Sequence, residues 1–425
     1  MNRFAPSGPL RGSVRVPSDK SITQRALIIG ALCTGDVIVR DPLWAGDTEA
    51  TAAMLATLGV QMERGADTTL VRGAGLRGLQ ATMQGLDARN SGTAMRLLAG
   101  GLAGQSGRFI IDGDESLRRR PMDRVVTPLR LMGAHIEARD GRFAPLAITG
   151  SELTGIVYEL PVASAQVKSC LLLAGLLASG ETRIIEPLPS RDHSERMLAA
   201  AGAALACEDG WCELSPPAEL RLDEVRVPGD PSSAAFLAAA ATLAPGSRIE
   251  VRDLGLNPTR MGFYEVLKRM GGDVSWEVGA KPGGEPVGTL SVRAAALHGV
   301  EVGAAEVPLL VDELPLVALL GAFAAGRTTV SGAAELKVKE SDRLAAVGRI
   351  IGALGGHVEM AADGFTVHGG GLHGGSIDSE GDHRLALLGA VAGLVCRDGV
   401  AVSGFEAAAV SFPGFTELLQ EVMSK

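Results

Sequence analysis

The amino-acid sequence predicts an α/β protein of two domains, each built from three copies of one unit. The chain has 425 residues, about twice the length of a typical single domain. One passage also recurs six times at spacings of 67–80 residues. It combines small polar residues, an Ala/Leu-rich helix, a glycine break and a β-rich run. The copies begin near Val16, Ala88, Leu160, Val227, Val307 and Asp378.

Each copy continues into a second helix that ends at a glycine and returns as a strand. The segments LATLGVQM, LRLMGAHI, LKRMGGDV and IGALGGHV place Gly where a helix needs a left-handed C-cap. A final strand then follows an L-x-G turn, as at 76–80, 153–160 and 297–302. The predicted order within a unit is therefore α, β, α, β, β, with the leading strand shared from the unit before.

The two ends of the chain predict which segments make up each domain. The last copy has too few residues left for its closing strands, and the N-terminal segment PLRGSVRVP carries the L-x-G and strand pattern before any helix. We therefore expect residues 1–17 to complete the final unit. Residues 18–227 then form one domain, and residues 1–17 with 228–425 form the other. Two crossings of the chain favour a hinge, with the active site in the cleft between the domains.

Composition excludes several classes of function. A net charge of −9 and only 4% aromatic residues argue against a nucleic-acid-binding protein. The start of the chain lacks the apolar run of a signal peptide, and its apolar segments are too short to span a membrane, so we expect a cytoplasmic protein. The segment 73–78 matches the dinucleotide-binding pattern GxGxxG, but it lies at a turn with no helix after it.

Cysteine and histidine spacing predicts neither a disulfide framework nor a metal site. The five cysteines include no CxxC pair, which favours a reducing compartment. Cys207 and Cys212 flank a predicted hairpin turn. The seven histidines show no HExxH or HxH spacing.

The first helix of each unit carries the functional signal. These helices are apolar on nearly all sides, which predicts that they are buried. Polar residues cluster at their N-terminal ends, and three such ends would converge in each domain if the helices run parallel. Because a helix N-terminus attracts anions, this arrangement favours a small ligand with several negative charges. N-capping alone would account for the hydroxyl side chains at these ends, which are those of Ser21, Thr93, Ser164 and Ser232.

Capping does not explain the cations at the same ends. The helix dipole opposes a positive charge there by about 0.3–1 kcal/mol. Lys20, Arg25 and Arg384 therefore indicate a bound anion. Glu340, beside Lys339 in KVKESDR, is a candidate acid–base residue, and Asp312 is either an N-cap or a general base. Spacing alone does not decide between these two roles.

Ten segments resemble the motifs of the 5-enolpyruvylshikimate-3-phosphate (EPSP) synthase family, in the family's order. They are SDKSITQRAL (18–27), RNSGTAMRLL (89–98), DESLRRRPM (114–122), LPVASAQVKS (160–169), SRDHSERML (190–198), VPGDPSSAAF (227–236), VDELPLVAL (311–319), VKESDRL (338–344), DHRLALL (382–388) and SFPGF (411–415). The resemblance implies two domains of three βαβαββ repeats with buried parallel helices, an inside-out α/β barrel. It implies transfer of the enolpyruvyl group of phosphoenolpyruvate to the 5-hydroxyl of shikimate 3-phosphate, by a monomer without metal or cofactor.

The resemblance also implies a role for individual residues. Asp312, Glu340 and Lys20 would be catalytic. Shikimate 3-phosphate would bind to Lys20, Ser21, Arg25, Ser164, Ala165, Gln166, Arg191, Asp312 and Lys339. Phosphoenolpyruvate would bind to Lys20, Asn90, Gly92, Arg120, Gln166, Arg343 and Arg384. Family members with Ala at the position of Gly92 tolerate the herbicide glyphosate, so Gly92 indicates a glyphosate target. Some members carry a Lys at the position of Ser411 that contacts phosphoenolpyruvate, which this chain lacks.

Two alternatives stand beside this interpretation. The sister enolpyruvyl transferase that acts on UDP-N-acetylglucosamine has a Cys shortly before Arg-Pro, whereas the corresponding loop here is DGDESLRRRPM. A non-catalytic anion-binding or RNA-end-processing protein on a related repeat fold is the other. The acidic net charge argues against it.

Overall fold

The computed structural model describes residues 1–6, 8–208 and 210–423. The chain divides into two compact units. The first unit comprises Ser18–Val227 and Lys281–Glu285, and the second comprises Met1–Pro17, Pro228–Ala280 and Pro286–Lys425.

The helices follow the repeat that the sequence predicts. Those of the first unit are α1 (Lys20–Leu32), α2 (Gly46–Thr57), α3 (Gly92–Ala103), α4 (Glu115–Arg119), α5 (Asp123–Leu131), α6 (Ala165–Gly175) and α7 (His193–Ala200). Those of the second unit are α8 (Pro231–Leu243), α9 (Gly262–Arg269), α10 (Val307–Leu310), α11 (Leu314–Phe323), α12 (Arg343–Ala353), α13 (His383–Val395) and α14 (Phe415–Met423).

The strands are short and distributed along the whole chain. Up to the end of the first unit's main segment they are β1 (Asn2–Phe4), β2 (Arg11–Val14), β3 (Thr34–Arg40), β4 (Met62–Arg64), β5 (Thr68–Ala74), β6 (Leu86–Asp87), β7 (Arg108–Asp112), β8 (His135–Arg139), β9 (Phe143–Thr149), β10 (Leu153–Thr154), β11 (Val157–Glu159), β12 (Ala178–Ser179), β13 (Thr182–Ile185), β14 (Ala204–Glu208), β15 (Trp211–Ser215) and β16 (Glu224–Arg226). The later strands are β17 (Arg248–Gly255), β18 (Asp273–Ala280), β19 (Val287–Arg293), β20 (Glu301–Val302), β21 (Arg327–Val330), β22 (His357–Ala361), β23 (Gly364–His368), β24 (Gly375–Asp378) and β25 (Val400–Ser403).

Sheet topology confirms the βαβαββ repeat. Three sheets have the orders β6-β7-β9-β8, β11-β13-β15-β14 and β20-β21-β23-β22. In each, the first two strands are parallel and the later pairs are antiparallel. Parallel neighbours need a crossover connection, and the buried first helix of each unit supplies it.

The strands that lead the first and fourth repeats are distant in sequence from those repeats. β16, at the end of the third repeat, pairs in parallel with β3 and so leads the first repeat. β2 pairs in parallel with β17 and leads the fourth repeat, whereas β1 pairs with β25 in the last sheet. The expectation that residues 1–17 complete the final unit is therefore wrong for β2, because Val14 pairs with Val251 and both are buried there.

The buried first helices form the centre of each unit. In the first unit, α1, α3 and α6 pack in one hydrophobic core, and in the second unit α8, α11 and α13 pack in another. α3 and α6 lie very close together. A Cβ on Gly100 of α3 would lie 2.0 Å from the backbone oxygen of Cys170 in α6. Only glycine fits at this position.

The structure settles three smaller points of the sequence analysis. β5 ends at Ala74 inside the GxGxxG segment, and a turn follows instead of a helix, as expected. Cys207 and Cys212 do lie on a hairpin of β14 and β15, but they form a disulfide, contrary to the expectation of reduced cysteines. No helix among the described residues is both long and apolar enough to cross a membrane.

A short segment also departs from the expected domain division. Lys281–Glu285, at the tip of the β18–β19 hairpin, belongs to the first unit and not with the strands that flank it. Its Glu285 Oε1 lies 2.7 Å from Nδ1 of the buried His193, and Arg196 donates to the backbone oxygen of Gly284. These polar contacts explain the assignment.

Candidate active site

The N-terminal ends of α1, α3 and α6 meet in the first unit. Gln24 of α1 donates to Ser91 Oγ at 2.7 Å, and Gln166 of α6 donates to Thr93 Oγ1 at 2.9 Å. The three helices are buried except at these ends, where Lys20, Ser21, Thr93, Ala165 and Gln166 keep partial exposure. Solvent therefore reaches these helices only at their electropositive ends.

The N-caps of these helices differ from the residues that sequence analysis considered. Asp19, Ser91 and Asp230 cap α1, α3 and α8, so Ser21, Thr93 and Ser232 are not the caps. Ser164 does cap α6 and accepts from the backbone N–H of Val167. Capping thus leaves the hydroxyl groups of Ser21, Thr93 and Ser232 for other contacts.

Two cations lie at the N-terminal half of α1. Lys20 Nζ lies 2.9 Å from Asp47 Oδ2, at the start of α2. Arg25 is 2% exposed, and its guanidinium donates to Ser194 Oγ, Ser169 Oγ and the backbone oxygen of Ser21. All three acceptors are neutral, and burial lowers the pKa of Arg25 to about 10. The nearby positive charge of Arg191 contributes to the same lowering of the pKa.

A second pair of arginines surrounds Gly92, the first residue of α3. A Cβ at Gly92 would lie 2.7 Å from Arg96 Nη1 and 2.9 Å from Arg120 Cζ. Arg96 donates to Gln166 Oε1 at 2.8 Å, and Arg120 Nη1 lies 3.4 Å from the backbone oxygen of Asn90. Both guanidinium groups lie so close to Gly92 that a methyl group at this position would force them to move.

Sequence analysis missed Arg96. The signal was present, because Arg96 is a cation within an otherwise apolar buried helix, just as Arg25 is in α1. Arg96 is 6% exposed and also donates to the backbone oxygen of Pro121. It therefore connects α3, α6 and the loop after Arg120.

We call Lys20, Ser21, Arg25, Asn90, Gly92, Arg96, Arg120, Ser164, Ala165, Gln166 and Arg191 the first-unit group. Hydrogen bonds join Arg25 to Ser21, Gln166 to Arg96 and Arg120 to Asn90. Its charged side chains are mainly cationic, which suits the binding of phosphate or carboxylate groups.

A second cluster of charged side chains lies in the second unit, and we call it the second-unit group. Arg343, the first residue of α12, is its centre and is 1% exposed. Its guanidinium lies 3.2 Å from Asp312 Oδ1 and 2.7 Å from Glu340 Oε2. Lys339 Nζ lies 3.3 Å from Asp312 Oδ1, and Arg384 Nη2 lies 3.7 Å from Asp312 Oδ2. Asp312, Lys339, Glu340, Arg343 and Arg384 are thus close together.

Asp382 anchors this group to α13. It is the N-cap of α13, accepting from the backbone N–H of Arg384, and it also accepts two hydrogen bonds from Arg343. Although burial raises the pKa of Asp382, the ion pair with Arg343 outweighs it and lowers the pKa below its usual value. Burial opposes the charge of Arg343, but Asp382, Glu340 and Asp312 together raise its pKa.

Asp312 is not at a capping position. It lies in the short 3-10 helix Val311–Glu313, and the N-cap of α11 is Glu313. Its carboxylate faces three cations, which are Lys339, Arg343 and Arg384. Of the two roles that the sequence left open, the geometry excludes the capping role.

The cations at these helix N-termini already have carboxylate partners. Lys20 pairs with Asp47, Arg384 with Glu313 and Arg343 with Asp382. The inference that only a bound anion could offset the helix dipole is therefore too strong for these residues. The hydrogen bonds of Arg25 within the described chain go to neutral oxygens, but the nearby carboxylates of Glu195 and Asp19 favour its charge, so the inference is weakened there too.

Comparison with known proteins identifies the family. The family model for EPSP synthase (3-phosphoshikimate 1-carboxyvinyltransferase) matches residues 4–419. The chain belongs to the EPSP synthase family. A 3-phosphoshikimate 1-carboxyvinyltransferase of Thermus thermophilus is 48% identical over 415 residues, which are 97% of this chain and 96% of that protein. One of Acidithiobacillus ferrooxidans is 48% identical over 418 residues, 98% of this chain and 96% of that protein.

Solved structures agree with the family assignment. The EPSP synthase of Acinetobacter baumannii is 39% identical, with a TM-score of 0.88, over 99% of this chain and 97% of that one. The enolpyruvyl transferase NikO from Streptomyces tendae has a TM-score of 0.79 at 17% identity, over 99% of this chain and 96% of that one. The likeness to NikO shows a shared fold alone. The two-domain fold of the EPSP synthase family is therefore the fold of this chain.

Proposed function

We propose that the chain is a 3-phosphoshikimate 1-carboxyvinyltransferase. It transfers the enolpyruvyl group of phosphoenolpyruvate to the 5-hydroxyl of shikimate 3-phosphate and releases phosphate, through a tetrahedral intermediate. The observation that carries the proposal is the second-unit group of this EPSP synthase family member. There one buried arginine holds two carboxylates, Asp312 and Glu340, beside Lys339.

The first-unit group supplies the contacts for shikimate 3-phosphate. Hydroxyl and backbone N–H donors are available at the start of α6, where Ser164 is the N-cap. Further donors come from the partly exposed Ser21, Ala165 and Gln166. Arg25 and Arg191 add positive charge near α1. Donors of this kind at a helix N-terminus bind phosphate well, because the helix dipole favours a negative charge there. Lys339 and Asp312 contact the ring of the same substrate in this proposal.

Phosphoenolpyruvate carries a phosphate and a carboxylate, and arginines suit both groups. Arg120 lies against Gly92 and Asn90, and Arg384 is near Asp312. Their guanidinium forks orient a planar anion through paired hydrogen bonds. Arg343 contributes less directly, since four of its five N–H groups have acceptors in the described chain. One N–H of Nη1 is left for a substrate oxygen.

The reaction needs proton transfers at the attacking hydroxyl and at the methylene carbon, which acid–base residues supply. When the 5-hydroxyl attacks the central carbon of phosphoenolpyruvate, the hydroxyl loses a proton and the methylene carbon gains one. Phosphate then leaves and the methyl carbon loses a proton. We assign the hydroxyl proton to Asp312 and the carbon-bound proton to Glu340, with Lys20 as a further acid–base residue. Positioned carboxylates and a lysine perform these steps as general acids and bases.

Both groups of residues act on one pair of substrates in this proposal. A monomer suffices, because each group is built from residues of the same chain. We also propose that the enzyme works in the cytoplasm, where aromatic amino acid biosynthesis would use its product. Its substrates are small molecules.

A phosphate-release assay tests the activity. Purified protein is incubated with phosphoenolpyruvate and either shikimate 3-phosphate or UDP-N-acetylglucosamine, and free phosphate is measured. We expect release only with shikimate 3-phosphate. Release with UDP-N-acetylglucosamine alone would assign the chain to the sister reaction. Release with neither acceptor would contradict both and favour a non-catalytic anion-binding protein.

A further inference from the structure

Two histidines and a glutamate meet on the β22–β23 hairpin of the second unit, apart from the second-unit group. His357 of β22 pairs directly with His368 of β23, and Glu359 lies two residues beyond His357 on the same face of its strand. The imidazole rings of the two histidines stack with their centroids 4.3 Å apart. His368 Nε2 lies 2.8 Å from Glu359 Oε1.

Strand alternation explains why these three side chains face solvent. Successive side chains of a strand point to opposite faces of the sheet. Phe365 and Val367 of β23 point into the core, where they are 1% and 0% exposed. His368 therefore lies on the outer face, together with its cross-strand partner His357. The side chains of Glu359 and His368 keep 63% and 27% exposure.

The ligand atoms are nearly at coordination distance. One nitrogen of each histidine and one oxygen of Glu359 all lie within 4.8 Å of one another. Ligands bound to Zn²⁺ at 2.0–2.1 Å in tetrahedral geometry lie about 3.3 Å apart. Rotations of these exposed side chains that shorten the longest separation by about 1.5 Å would bring the three atoms to this spacing.

We propose that His357, Glu359 and His368 form a binding site for a divalent late first-row transition ion, with Zn²⁺ as its representative. Two imidazole nitrogens and one carboxylate oxygen make a ligand set that such ions prefer over Mg²⁺ or Ca²⁺. A solvent molecule occupies the fourth position. The ion replaces the proton now shared between His368 Nε2 and Glu359 Oε1, so the existing hydrogen bond already brings two ligands together.

The surroundings impose one opposing charge. Arg327 of β21 pairs with His368 from the other side of β23 and so shares the outer face. Its side chain is exposed, so solvent screens its repulsion of a bound cation. Thr366 of β23 is the cross-strand partner of Glu359. Its hydroxyl forms a hydrogen bond with the hydroxyl of Thr329 and not with the ligand atoms. The site is independent of catalysis, because none of its residues belongs to the proposed active site.

Calorimetric titration of tag-free, metal-free protein with Zn²⁺ tests the proposal. We expect one ion to bind per chain, and Mg²⁺ at the same concentration to give no heat of binding. We expect Zn²⁺ binding to weaken at least about 10-fold in each of the variants His357→Gln, Glu359→Gln and His368→Gln. Loss of a residue that only hydrogen-bonds to a metal ligand already costs about 10-fold in affinity, and loss of a ligand should cost no less. His298→Gln is the matched control, since it removes an exposed histidine of the same unit, and should bind Zn²⁺ as the unchanged protein does.

X-ray absorption of the Zn²⁺-loaded protein gives a second measurement that does not depend on variants. Nitrogen and oxygen neighbours at 2.0–2.2 Å support the site. Sulfur neighbours at about 2.3 Å would place the ion on cysteines and overturn the proposal. Absence of binding to the unchanged protein would overturn it as well, and so would undiminished binding to a variant that carries all three substitutions. Phosphate release by each variant shows that the chain is still folded.

Discussion

At the scale of single residues, Arg343 determines the arrangement of the second-unit group. One guanidinium holds Asp312, Glu340 and Asp382, which come from three different segments of the chain. Removing one partner of a buried ion pair is costly because it leaves the other charge uncompensated. Arg343 is therefore a positioning residue for the two carboxylates as much as a proposed contact for phosphoenolpyruvate.

Glu340→Gln should reduce turnover by about 100-fold or more, because the amide cannot exchange a proton with the methylene carbon. The amide oxygen can still accept from Arg343 Nη2, so the position of the side chain is preserved. The affinity for shikimate 3-phosphate should stay near that of the unchanged protein. Steady-state phosphate release and equilibrium binding of shikimate 3-phosphate measure the two effects.

Glu265→Gln is the matched control for this variant, because Glu265 is an exposed glutamate on α9 of the same unit. It should leave turnover unchanged. Full turnover in Glu340→Gln would remove Glu340 from the proton transfers.

Gly92→Ala should raise the KM for phosphoenolpyruvate by about 10-fold or more. The new methyl group displaces Arg96 and Arg120, and a hydrogen bond to a charged group contributes about 1.5–3 kcal/mol. Glyphosate, if it binds at the same arginines, should inhibit this variant less. Gly101→Ala is the control, because open space surrounds a Cβ added at this position of the same helix. It should leave the KM for phosphoenolpyruvate and the inhibition by glyphosate unchanged. Equal KM values in the two variants would contradict this account of Gly92.

Residue types in the motifs were enough to nominate candidate site residues, whereas the contacts among them depend on geometry that the sequence does not contain. Basic residues and carboxylates in short motifs identified Arg343, Asp312 and Glu340. The motifs did not show that Asp382 bonds to Arg343, because this contact joins the starts of two helices 39 residues apart. Likewise, Asp19 caps α1 although Ser21 is an equally good capping residue, since the first turn begins at Lys20.

At the scale of elements, Asp382 links α12 to α13, and Asp382→Asn should destabilise the protein by about 3 kcal/mol at pH 7. The folded pKa of Asp382 lies below its unfolded value, so its stabilising effect is complete above about pH 4. It is lost as the pH falls through the lower, folded value. The difference in Tm between the two proteins should therefore be constant from pH 7 to 5 and shrink in stronger acid.

Calorimetric melting at several pH values measures this difference in Tm. Asp378→Asn is the control, because Asp378 is an exposed aspartate at the end of β24, just before the same helix. It should leave the Tm nearly unchanged. A Tm difference for Asp382→Asn that grows in acid would contradict the assigned direction of the pKa shift.

Long, periodic elements were predictable and short strands were not. The buried helices are apolar on nearly all sides, and the second helices of the first five repeats end at a glycine, so both follow from local sequence. β2 and β16 have four and three residues. They pair with β17 and β3, which are distant in the sequence, and a local pattern does not contain such pairings.

At the scale of the whole molecule, the proposed reaction depends on both the first-unit group and the second-unit group. In this proposal the two groups bind the same pair of substrates. The first-unit group is mainly cationic and offers phosphate-binding donors. The second-unit group holds the carboxylates proposed for proton transfer, together with Lys339 and Arg384. The first-unit group contains no carboxylate, and the second-unit group contains none of the residues proposed to bind the phosphate of shikimate 3-phosphate.

The most direct test of this claim compares two variants, Arg120→Gln and Arg384→Gln, with the unchanged protein. The measurement is their affinity for phosphoenolpyruvate in the presence of shikimate 3-phosphate. If both arginines bind the same molecule, each substitution should weaken its binding about 10-fold or more, the effect of losing one charge-assisted hydrogen bond. Arg119→Gln, the exposed neighbour of Arg120, should bind phosphoenolpyruvate normally. An unchanged affinity in either Arg120→Gln or Arg384→Gln would show that the two groups do not share this substrate.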